Sequence, residues 1–189
     1  MSQPSEQQSP EAVPRGTRAT VGRKAQILLA VVVLVAVAVV FWPRGEASVD
    51  APRGSLADAA GRPVPMASRM TPVTLVHFWA TWCPPCRTEV PSIGRLADDF
   101  ARYRGKFTVL MVSVADDAER VKSFAGVRAA SVLYDPSWKM AHRFGTWKLP
   151  ETYLVVRGKV VRRWIGDQDW DAAESRHPIE KAITALGNG

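Results

Sequence analysis

The chain has 189 residues, a net charge of +7 and two cysteines. That length holds one ordinary globular domain plus an appendage, and two cysteines within one four-residue motif exclude a disulfide-stapled scaffold. The positive charge is spread out, with Arg102, Arg104 and Lys106 in one group, Arg157, Lys159, Arg162 and Arg163 in another, and Asp98, Asp99, Asp116 and Asp117 nearby. A solvated surface is expected there and no nucleic-acid partner, which would need a concentrated basic face.

Residues 1–24 are rich in Ser, Gln, Pro and Arg, lack apolar periodicity, and are expected to be a disordered cytoplasmic tail. Ala25 to Trp42 then runs without a charge. At about 1.5 Å per residue, a helix of that length nearly crosses the hydrocarbon core of a bilayer. A single N-terminal transmembrane helix at 25–42 is expected. A cleaved signal peptide wants a shorter apolar stretch and a small-residue cleavage site. Phe41-Trp42-Pro43-Arg44 offers neither, although Glu46-Ala47-Ser48 leaves cleavage open. Arg15, Arg18, Arg23 and Lys24 precede the span and only Arg44 and Arg53 closely follow it, which orients the N-terminus to the cytoplasm and exports the rest. Residues 43–53 read as a linker and 54–189 as the exported domain.

In that domain a short hairpin is expected from Leu56 to Met66, turning at Ala59–Arg62. Val73–Trp79 is an apolar, β-branched run typical of a buried strand. A helix should run from Pro84 to about Tyr103, bent by Pro91, since prolines are tolerated only in its first turn. Phe107–Val114 is the next buried strand. Helix is expected over Ala118–Phe124, extended chain over Val132–Tyr134, and helix over Ser137–Phe144 capped by Gly145. Thr152–Val156 and Lys159–Ile165 flank Arg157-Gly158 as a hairpin, and a last helix covers Pro178–Leu186. Strands joined by helices and closed by a hairpin specify a three-layer α/β domain with a mixed sheet.

The chemistry sits in Trp82-Cys83-Pro84-Pro85-Cys86. Cys83 lies where a strand gives way to a helix, so helix-end N–H groups and the dipole favour its thiolate. Cys86, one turn on, can attack a mixed disulfide formed by Cys83 and release the partner. No further cofactor is expected beyond this redox-active pair. Nor is a metal site, because His77, His142 and His177 are scattered without ligand spacing. Pro84 and Pro85 bring no N–H to the thiolate, leaving only the Cys86 amide among the first three helical positions. Weak stabilisation of the reduced form predicts a reducing couple.

Val76-His77-Phe78-Trp79-Ala80-Thr81-Trp82-Cys83-Pro84-Pro85-Cys86-Arg87, with Leu149-Pro150-Glu151-Thr152, resembles the active-site signature of thioredoxin-like proteins. The membrane-anchored TlpA, ResA and CcmG type is the most similar, over about residues 54–187. The resemblance implies a thioredoxin-like fold with an inserted helix–strand segment between Cys86 and Pro150. It makes Cys83 the exposed attacking thiol, Cys86 the buried resolving thiol and Pro150 a cis-proline. Pro150 would present backbone to an extended substrate, with Leu149, Glu151 and Thr152 as the substrate-binding residues around it. Trp82 would line the substrate surface and Trp79 the core, the other tryptophans serving as packing. Glu89, three residues after Cys86, matches a glutamate of the cytochrome-maturation members, where it would tune thiol protonation or contact the partner; a solvent-facing helix position is the alternative. His77 occupies the strand position of thioredoxin's buried aspartate, and a partly buried histidine bonded to backbone is its simplest reading. The implied client is a disulfide-bearing protein such as apocytochrome c, with a membrane thiol-electron donor recharging a monomeric enzyme. A general oxidase or reductase, a copper-handling assembly factor, and a catalytically idle tethered module are the competing readings.

Overall fold

The computed structural model describes residues 22–41, 48–124 and 132–187. The expected tail up to residue 21, Trp42 and linker residues 43–47 lie outside them. The chain divides into two units, 1–45 and 46–189. In the first, α1 is helical over 19 residues, Arg23–Phe41. Its described side chains from Ile27 to Val35 are apolar and exposed. Among the described residues no helix is long and apolar enough to cross a membrane.

The second unit contains β1 (Val49–Asp50), β2 (Ser55–Ala57), β3 (Pro63–Pro65), β4 (Val73–Trp79), α2 (Pro84–Asp99), β5 (Phe107–Val114) and α3 (Ala118–Ser123). β6 (Leu133–Asp135), α4 (Lys139–Phe144), β7 (Glu151–Val156), β8 (Lys159–Ile165) and α5 (Ala173–Ala185) follow. Its sheet has the order β1-β8-β7-β4-β5-β6-β2-β3. β4 pairs parallel with β5 and antiparallel with β7. Parallel neighbours need a crossover, and α2 supplies it.

Alternation along the strands sorts the core onto two faces. Val73, Leu75 and Trp79 of β4 pack with Val90, Ile93 and Leu96 of α2 and Ile179 and Ile183 of α5. Val76 and Phe78 point the other way, onto Met140, Ala141 and Phe144 of α4. His77 shares the parity of Leu75 and Trp79 and therefore faces α2. Thr152, its register partner on β7, faces the same side.

The strands at Val73–Trp79, Phe107–Val114 and Lys159–Ile165 fall where the alternation and β-branching place them. Helix ends differ more. α2 stops at Asp99, and a 3-10 turn covers Phe100–Tyr103. α4 begins at Lys139 rather than Ser137, because Trp138 adopts a left-handed φ of 62°. α5 starts at Ala173, five residues before Pro178. Tertiary contacts extend it: the Arg176 Nε–H donates to the Trp170 carbonyl at 2.6 Å, and Arg176 pairs with Asp99 at 2.8 Å.

Candidate active site

β4 ends at Trp79, four residues before Cys83, so the reactive corner leaves the sheet at the carboxyl end of a central strand. Cys83 is the N-cap of α2, and its Sγ accepts the Cys86 N–H at 3.3 Å. Pro84 and Pro85 fill the first two helical positions and donate nothing. The two sulfurs are joined as a disulfide with Cα atoms 5.3 Å apart. Cys86 is fully buried. Cys83, expected to be exposed, shows only 4% of its surface, because the corner turns it into the apolar cluster under α2.

The corner is clamped by a residue that sequence reasoning left on the solvated surface. Asp116 accepts the Thr81 N–H at 2.7 Å and the Thr81 hydroxyl at 3.0 Å. The Trp82 indole N–H donates to the Ala115 carbonyl at 3.1 Å. Ala115 has φ 49°, a left-handed conformation that costs a non-glycine residue about 1 kcal/mol. No local pattern marks Asp116, since its partner lies 35 positions earlier. Trp82 itself is 49% exposed.

Glu89, three residues and roughly one turn after Cys86, is 2% exposed, which rules out the solvent-facing alternative. Its Oε1 accepts the Trp170 indole N–H. Oε2 has no partner of hydrogen-bonding geometry among the described residues. Burial pushes its pKa up to about 8; the Trp170 N–H and the Gln168 amide oppose that shift, and the negative charge of Asp167 adds to it. Trp170, which reads from sequence as packing, is therefore also a polar partner.

His77 is fully buried, with Nδ1 at 2.9 Å from the Thr152 hydroxyl and 3.9 Å from Glu89 Oε1. Its partner is thus a side chain rather than backbone. Burial lowers its pKa to about 3. Between those two values both groups are uncharged, so the close approach joins a neutral imidazole to a protonated carboxyl and is no ion pair.

The Leu149–Pro150 peptide bond is cis. Phe78 pairs with Glu151, which sets Pro150 beside the Trp79 end of β4, the end from which the cysteine corner departs. Leu149 is half-buried. Glu151 and Thr152 are buried, and neither side chain is open to a substrate. Alternation turns Glu151 toward α4, where its carboxylate accepts Arg163 Nη2 at 2.7 and 2.9 Å and the Tyr153 hydroxyl at 2.9 Å. Arg163, expected on the solvated surface, is engaged there and also donates to the Gly145 carbonyl at 3.0 Å. Trp79 lies in the core as expected, whereas Trp147 is 73% exposed.

A vicinal dithiol closed into a disulfide at a strand-to-helix corner, beside a cis-proline, defines a thiol–disulfide oxidoreductase of thioredoxin-like fold. Residues 47–163 match the AhpC/TSA family model, and the chain belongs to that family. It is 28% identical over 129 residues to the thiol-disulfide oxidoreductase ResA of Bacillus thuringiensis (strain Al Hakam), covering 66% of this chain and 73% of the relative. It is 31% identical over 98 residues to the thiol:disulfide interchange protein CycY of Rhizobium leguminosarum bv. viciae, half of each chain. A crystal structure of a thiol:disulfide interchange protein of Chlorobium tepidum TLS superposes with a TM-score of 0.58 at 25% identity, covering 72% of this chain and 97% of that one. These relatives support the TlpA, ResA and CcmG type.

Proposed function

We propose that the protein is a membrane-tethered, extracytoplasmic reductase of protein disulfides. The observation that carries the direction is that, among the described residues, the Cys83 sulfur accepts one N–H, that of Cys86, with prolines at the two positions between. A thiolate stabilised by one donor does not favour the reduced form as a strong oxidant requires. In the forward reaction the Cys83 thiolate attacks one sulfur of a client disulfide; that S–S bond breaks and the client's other sulfur leaves as a thiolate. Cys86 then attacks Cys83, releases the second client thiol and closes the Cys83–Cys86 disulfide, so two electrons pass to the client. Glu89, buried one turn from Cys86 with its pKa raised to about 8, carries its own proton over most of the population at pH 7, and it is its ionised fraction that takes the proton Cys86 must lose. A membrane thiol donor restores the dithiol, and apocytochrome c is the client class that the resemblance implies.

Tethering rests on the charge-free run from Ala25 to Trp42. A helix apolar on every side has no aqueous face, and α1 exposes Leu28, Leu29 and Leu34 at once. The basic residues before it keep the N-terminus in the cytoplasm.

The test is a trapping experiment with Cys86→Ser, in which Cys83 stays covalently bound to its client. Capture of apocytochrome c supports the full reading, and capture of many unrelated exported proteins replaces it with a general reductase. A couple titrating near the strong-oxidant end, about −120 mV, would sink the reducing direction.

A further inference from the structure

Outside α1, the large apolar side chains exposed among the described residues are Val49, Trp82, Trp147 and Ile165. The two tryptophans belong to one continuous row of rings. Trp82 lies 6.4 Å from Trp138, Trp138 stacks on His142 at 5.7 Å, and His142 stacks on Trp147 at 4.2 Å. One end adjoins Cys83 and the other is three residues before Pro150. We infer that this row docks an extended segment of the client polypeptide that carries acidic side chains beside its disulfide. The inference rests on the proposed reduction of protein disulfides.

Three observations carry it. Centroid to centroid the row reaches at most roughly 16 Å, the length of about five residues of extended chain. Such aromatic surface gives large contact area at low conformational cost and supplies most binding hot spots. Trp138 holds a φ of 62°, unfavourable for a bulky residue. That conformation sets its ring between Trp82 and His142, where it completes the row and remains partly exposed.

The charge beside the row is one-sided. Lys139, Arg143 and Lys148 are exposed, and residues 138–148 contain no acid. The acids flanking that stretch are buried and engaged, Asp135 with the Ala141 N–H and Glu151 with Arg163. At the Trp82 end Asp116 and Asp117 reverse the sign, with Asp116 bound to Thr81. The fit therefore has a direction, with the client's acidic side chains toward Trp147 and away from Trp82.

The test uses the full chain in detergent micelles with three disulfides: a cystine peptide with Asp and Glu flanks, the same peptide with Lys flanks, and hydroxyethyl disulfide, which has no peptide to dock. The wild-type chain should prefer the acidic peptide over the basic one about tenfold in kcat/KM. In Trp147→Ala the ratio of kcat/KM on the acidic peptide to that on hydroxyethyl disulfide should fall about tenfold, through KM, and Trp147→Phe should restore most of it. Lys148→Glu should bring the two peptides near parity. A Trp147→Ala ratio within twofold of wild type, or no peptide preference in the wild type, overturns the inference. Self-association that Trp147→Ala abolishes would assign the row to a second copy and overturn it as well. Turnover of none of the three disulfides would remove the reductase reading and the docking with it.

Discussion

Two buried carboxyl groups on opposite faces of one sheet show how differently the same side chain can be held. Glu151, facing α4, is 1% exposed, yet Arg163, Tyr153 and, through Tyr153, Thr146 form a closed network around it. Glu89, facing β4 from α2, has the Trp170 indole N–H, the Gln168 amide and a neutral imidazole at 3.9 Å, and no cation beside it among the described residues. A buried charge persists where a cation and hydrogen bonds replace water; without them the group keeps its proton. Burial is therefore common to both, and the partners decide which carboxyl serves structure and which can carry a proton.

The largest expected effect is on the ion-paired side. Arg163→Met should strand the Glu151 carboxylate and cost about 3 kcal/mol in denaturant unfolding at pH 7; a loss under about 1 kcal/mol would show that solvent replaces the guanidinium. Glu89→Gln should act in the opposite sense, from about pH 4.5 upward. The folded pKa of Glu89 is about 8 against 4.5 for the free group, so the folded state retains a proton that the unfolded state loses, and stability declines as pH rises through that window. His77 works in reverse: its folded value of about 3 against 6.5 makes stability grow as pH rises between those two values. The pair gives a plateau near pH 4.5–6.5 and a decline above it. Glu89→Gln should abolish that decline and turn the plateau into a rise, a gain that grows with pH from about 4.5 to about 8; unfolding curves from pH 4 to 9 would show whether the decline persists. Thr152→Val, which leaves His77 Nδ1 without its hydroxyl, should cost about 1–2 kcal/mol across that range. The smallest change is expected from Tyr153→Phe, about 1 kcal/mol, since Arg163 still holds both Glu151 oxygens.

The frame of this site was legible in the sequence because its signals are local. Val73–Trp79 is a continuous apolar run, the cysteines are three residues apart, and two prolines stand between them. The partners of those residues were not legible, since each is brought in by tertiary folding. Asp116 reaches Thr81 across 35 positions, Trp170 reaches Glu89 across 81, and Thr152 reaches His77 across 75. The start of α5 was missed for the same reason: the first turn is anchored by Arg176 on Trp170 and Asp99, whereas Pro178 suggests a later beginning. Glu151 looked available to a substrate until strand parity turned it inward.

The β3 rim of the sheet is closed to a further strand. At the other rim β1 pairs only with Lys159 and Val160 of β8. In the β2–β3 hairpin, Asp58 N–H to Arg62 carbonyl and Met66 N–H to Gly54 carbonyl turn the even-numbered residues of β3 inward. Pro63 and Pro65 then stand at the outward positions, where an incoming chain would seek N–H donors that proline lacks. An open sheet edge can be zipped to an extended polypeptide along its backbone. With its β3 rim blunted in this way, the sheet offers an extended chain no continuous row of donors on that side.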